Sequence, residues 1–138
     1  MPLPTVPFYS LTYQASPPVL RGQTHRTLTP AEFTEVCELL LLACRHHQCR
    51  YWLLDSRADI GYRPADLHQW MLDDYLPRVR AALGSTPVMA FIVNSMFWTR
   101  LDARGYMPPS TEPREFFQTG WFAEEAPALE WLDQFRWL

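Results

Sequence analysis

Apolar positions change their spacing several times along this chain, and each change marks an element boundary. Residues 8–14 mix aromatic and β-branched residues and read as a strand, after a proline-rich and irregular start. Ala15-Ser16-Pro17-Pro18 reads as a turn and residues 19–27 as a second strand. So short a connection permits an antiparallel hairpin but not a parallel crossover. The spacing then turns helical. Phe33, Val36, Cys37, Leu40, Leu41 and Cys44 form one apolar stripe. Thr29-Pro30-Ala31-Glu32 ahead of it is a capping box with proline in the first turn, and Arg45, His46 and His47 suit the negative C-terminal end.

Tyr51-Trp52-Leu53-Leu54 has no polar alternation and ends at Asp55, as expected of a strand buried on both faces. A second helix is predicted from Pro64, with Leu67, Trp70, Met71, Tyr75, Val79 and Leu83 inward. Pro77 should kink or interrupt it, and Gly84 should end it. Residues 87–93 (PVMAFIV) form the clearest buried strand. Asn94 or Ser95 then caps a short helix holding Met96, Phe97, Trp98 and Leu101, followed by a loop over 103–113. Residues 114–122 read as the last strand, bulged at Gly120, and residues 124–136 as the last helix. The order is β-β-α-β-α-β-(α)-β-α over a single domain, residues 1–138. This is an α/β fold with a five-stranded, mostly parallel sheet and an antiparallel N-terminal hairpin. No internal repeat is evident.

Composition narrows the chemistry. With 48% hydrophobic residues, among them six Trp, eight Phe and six Tyr, 138 residues can fill a core. A net charge of −3 gives no basic face for nucleic acid. All twelve basic residues are arginine, which excludes Schiff-base, pyridoxal-phosphate and P-loop lysine chemistry. Cys37, Cys44 and Cys49 make no disulfide framework, and no stretch approaches a membrane span, so a reducing cytoplasm is the simplest setting.

Three segments carry a family resemblance. They are Leu53-Leu54-Asp55-Ser56 at a strand end, Val88 to Val93 followed by a short helix, and Phe122 to Leu132, where a strand leads into an E-A-x-x-L-x-W-L helix. With the order of elements, they make the chain resemble the STAS domain, and more closely the small SpoIIAA-like (STAS/SEC14-type) bacterial proteins. The resemblance covers nearly the whole chain. It implies a non-enzymatic module that binds a protein partner or its own copy. Anti-sigma antagonists of that fold carry a phosphorylatable serine in an Asp-Ser-Ser-Gly turn. Here the corresponding stretch is Asp59-Ile60-Gly61-Tyr62-Arg63-Pro64, without serine, so the phosphoswitch does not carry over.

Candidate sites follow from position. Asp55 and Ser56 lie at the carboxyl end of a presumed parallel strand, where open α/β sheets place ligands. Asp55 could act as a base and Ser56 as a nucleophile, or both could be turn residues, since no Gly-x-Ser-x-Gly elbow or Asp-x-Asp pair surrounds them. Met96, Phe97, Trp98 and Tyr106, with Arg100 and Arg104, combine large apolar groups and cations around a loop. They read as core filling or as a partner surface or pocket lid. Cys44-Arg45-His46-His47-Gln48-Cys49 holds four ligand-type residues but has no second ligand pair, so no metal is expected. His25 and His68 are isolated. No cofactor is expected, and the partner expected is a protein or a second copy, as in a homodimer. The alternative is a carrier of a small apolar ligand or lipid.

Overall fold

The computed structural model describes residues 6–59, 65–94 and 118–136. The chain folds as an α/β structure: β1 (Tyr9–Ala15), β2 (Pro18–Thr24), α1 (Pro30–His47), β3 (Tyr51–Asp55), α2 (Ala65–Trp70), a π-helical turn (Met71–Tyr75), α3 (Leu76–Leu83), β4 (Val88–Ile92), β5 (Gln118–Phe122) and α4 (Glu125–Arg136). The five strands lie side by side in chain order. β1 and β2 are antiparallel, and every later neighbour is parallel. The hairpin at one edge and the parallel remainder both follow from connection length.

Alternation along the strands builds two cores. Leu11, Leu20, Trp52, Leu54 and Met89 point to one face, where α1 supplies Val36, Cys37, Leu40, Leu41 and Cys44 and the second helical stretch supplies Tyr75, Leu76 and Val79. Val19, Leu53, Val88, Ala90 and Ile92 point to the other, against Ala128, Trp131, Leu132 and Phe135 of α4. β3 is therefore apolar on both sides, which is why its sequence does not alternate. α4 packs over β3, β4 and β5.

The start of α1 is set by the expected capping box. The Thr29 hydroxyl accepts from the Glu32 amide at 3.2 Å, and the Glu32 carboxylate accepts from the Thr29 amide at 2.9 Å. Arg26 clamps the same carboxylate at 2.6 and 2.8 Å. That contact, then the backbone bond of Thr29, pulls the Glu32 carboxyl down to about 2. Gln48 closes the helix in the left-handed region. Pro77 interrupts the second helix as its sequence implies. The interruption is a π turn, in which the Leu76 amide reaches back to the Met71 carbonyl. A wider turn admits a ring that would otherwise crowd the preceding carbonyl, and it brings Leu76, which the periodicity leaves out, into the core.

Two expectations are corrected. β2 ends at Thr24 rather than at residue 27, because Arg26 leaves the sheet to bind Glu32 and the Thr27 carbonyl and the chain swings toward α1. Gly120 is not a bulge: Ala90 faces Gly120 in an unbroken register. It is glycine because a Cβ there would lie 2.9 Å from the Phe122 ring and 3.1 Å from Trp131. The helix start at Pro64, the short helix and loop over 95–113, and the first residues of the last expected strand, 114–117, fall outside the described residues. No helix among the described residues is long and apolar enough to cross a membrane.

Candidate functional site

Among the described residues, the second face of the sheet is covered unevenly. α4 lies over β3 to β5 and leaves the hairpin end of that face lined by polar side chains. β1 contributes Ser10 and Thr12, β2 contributes Arg21 and Gln23, and β3 contributes Leu53 and Asp55. Arg57 and Glu125 close the sides of this open groove, whose volume is about 330 Å³. The arrangement follows from register and alternation. Arg21 lies beside Leu53 and Gln23 beside Asp55 in the parallel β2–β3 pair, while Ser10 faces Gln23 and Thr12 faces Arg21 across the hairpin.

The charges in the groove are paired. Arg57 grips Asp55 through its backbone amide (3.1 Å), Nε (3.0 Å) and Nη2 (2.8 Å). Burial opposes ionisation of Asp55, but the hydrogen bonds and charge of Arg57 outweigh it and hold the carboxyl below its ordinary value. Arg21 donates to Glu125 at the start of α4 at 3.0 and 3.3 Å, tying the hairpin to the helix. Behind Asp55 the chain is knit to β4. The Ser56 amide donates to the Ile92 carbonyl at 2.8 Å, and the Asn94 side chain donates to the carbonyls of Arg57 (3.2 Å) and Asp59 (3.4 Å).

Of the two expected strand-end residues, only Asp55 lines the groove. The Asp55 carboxylate is held by three donors from Arg57. Ser56 is placed by its backbone in the turn. Met96, Phe97, Trp98, Arg100, Arg104 and Tyr106 lie outside the described residues. The residues that sequence reasoning missed are Ser10, Thr12, Arg21 and Gln23. Their signal was the alternation in the hairpin strands, whose polar members share one face. Ser10 also shares a hydrogen bond with His25, at 2.5 Å between Oγ and Nε2, on an exposed part of the hairpin.

The cysteine–histidine segment does not converge. Cys44 and Cys49 are buried, and burial pushes the Cys44 thiol up to about 12. His46 is exposed, and His47 stacks on Tyr13 with ring centres 3.9 Å apart. Burial, then the neighbouring His46, lowers the His47 pKa. No group of three or more ligand-type residues is placed to hold a metal among the described residues. The chain matches no protein-family model, no curated protein and no solved structure.

Proposed function

We propose that this domain is a non-enzymatic, STAS-like interaction module whose recognition surface is the groove on the hairpin, and that its partner is a protein presenting a polar, extended segment. The observation that carries this reading is the composition of the groove. Two ion pairs, Arg21–Glu125 and Arg57–Asp55, flank the uncharged donors and acceptors of Ser10, Thr12 and Gln23 on an open surface. Exposed ion pairs are worth little to the fold, so a partner can exchange one for its own charges at small cost. A polypeptide offers both signs of charge together with amide donors and acceptors, which matches such a surface. A carrier of apolar ligands would instead need an enclosed, apolar cavity, and the groove is open and mostly polar.

Purification from the source cells, with the parent beside an Arg21→Glu/Arg57→Glu double variant, tests this. The expected result is a protein recovered in stoichiometric amount with the parent and lost with the variant, at nearly equal melting temperatures. Recovery of the same protein by both, or a small molecule bound stoichiometrically to the parent in native mass spectrometry, overturns the reading.

A further inference from the structure

The outer edge of β1 carries a consequence of its own. The His25 amide donates to the Phe8 carbonyl at 3.0 Å, and Tyr9 faces Thr24 in the same antiparallel register. Residues bonded directly across such a ladder alternate with residues whose backbone groups point away from it. Ser10, Thr12 and Gln14 therefore bond inward to β2, and Tyr9, Leu11, Tyr13 and Ala15 turn their amides and carbonyls outward. The Tyr9 amide already turns back to the Val6 carbonyl at 3.3 Å. Among the described residues, Leu11, Tyr13 and Ala15 face no other strand, because β1 is the end of the sheet that those residues form.

Natural edge strands are defended by charge, proline, bulges or shortness. β1 has none of these. Its seven residues, YSLTYQA, contain no charged residue and no proline, and they pair with β2 without a bulge. The strand is also amphipathic: Tyr9 and Leu11 are buried on the α1 face, with Tyr13 packed beside them, while Ser10 and Thr12 line the groove.

From this edge we infer that two copies of the chain pair antiparallel through β1, about a two-fold axis at Thr12, into one continuous sheet. The inference rests on the reading of the domain as a protein-interaction module and names a second copy as a partner. The register follows from the outward groups. Leu11 stands opposite Tyr13 of the partner subunit, the two exchanging main-chain hydrogen bonds, and Thr12 faces its own counterpart in a non-hydrogen-bonded pair. An uncharged strand is self-complementary in this arrangement, since no like charges meet across the axis. Both faces match as well. The Tyr9, Leu11 and Tyr13 layer continues into the same layer of the second copy, and the two grooves meet at Ser10 and Thr12 to form one trough.

Sedimentation of the full chain at micromolar concentration should give twice the 16.2 kDa chain mass. Thr12→Lys, which sets two cations on the axis, and Tyr13→Pro, which removes an outward amide but no β1–β2 bond, should each give a folded monomer by circular dichroism. Thr12→Cys should oxidise to a covalent dimer, because directly opposed, non-hydrogen-bonded positions lie within disulfide reach. Ser10→Cys should not, since it faces Gln14 of the partner subunit. The native cysteines are buried and do not compete. A monomeric parent, or Ser10→Cys cross-linking as fast as Thr12→Cys, overturns the inference. The Arg21→Glu/Arg57→Glu variant separates the two readings. If it stays dimeric but loses its partner protein, both stand. If the parent is monomeric yet loses its partner through that variant, only the dimer fails.

Discussion

The two faces of the sheet are made by the same strands but are finished differently. On the α1 side, helical side chains reach from the hairpin to β4, and the layer holds Tyr9, Leu11, Trp52, Met89 and all three thiols, Cys37, Cys44 and Cys49. On the α4 side the apolar layer spans β3 to β5 with Val19 at its border, and beyond it the hairpin presents Ser10, Thr12, Arg21 and Gln23. The difference shows where this fold spends apolar residues. β3, in the middle, is apolar on both faces. β1 is apolar on one face only, and β2 turns Val19 alone to the α4 side, beside the polar Arg21 and Gln23.

The largest expected effect falls on the covered face. Trp52 is 1% exposed, and its indole N–H donates to the Cys49 carbonyl at 3.0 Å. Trp52→Ala should cost about 3–5 kcal/mol in denaturant unfolding, from lost burial and the cavity left behind. A loss below about 1 kcal/mol would mean that this face is loosely packed and that the contrast between faces is misdrawn.

The next effect lies at the hairpin, where the covered face is tightest. A Cβ on Gly22 would sit 1.9 Å from the Tyr9 hydroxyl oxygen, and Tyr9 is itself 5% exposed, so the ring has little room to retreat. Gly22→Ala should destabilise by about 1–3 kcal/mol through overpacking. Pairing it with Tyr9→Phe, which removes the clashing oxygen, should recover part of the loss. If the recovery is absent in unfolding midpoints, the ring does not fill the space above Gly22.

Much of the fold was legible in the residues. The Thr29 box, the unbroken apolar run of β3 and the proline at position 77 each act locally, and each fixed its element within the nearest neighbours in sequence. The site was less legible because it is assembled by register. Asp55 announced itself as a polar residue closing an apolar run. Arg21 and Glu125, however, lie 104 positions apart and meet only because β2 lies beside β3 and α4 returns over the sheet. The role of Gly120 was hidden for a similar reason, since the side chains it makes room for come from its own strand end and from α4. Ser10 and Thr12 were visible as polar positions in a strand, but only the sheet order shows that they share a groove with Arg21, Gln23 and Asp55.

The smallest expected effect is on the polar face, at Asp55. Its pair with Arg57 is partly open to water, with 47% of the Arg57 side chain and 19% of the Asp55 side chain exposed, so the pair should contribute no more than about 1 kcal/mol. Asp55→Asn at neutral pH should therefore lower stability only slightly, far less than Trp52→Ala three positions earlier on the same strand. The pH dependence fixes the sign. Burial raises the Asp55 pKa, but the Arg57 contacts lower it more, so its folded value lies below the 3.8 of a free side chain. A group whose pKa is depressed by folding contributes stability above the unfolded value and loses it as pH falls through the folded one. The difference between parent and Asp55→Asn should thus be constant above pH 3.8 and shrink progressively below it. Melting curves in which that difference persists through acid would show that Asp55 acts through packing rather than charge, and the groove would then belong to the core and not to the open face.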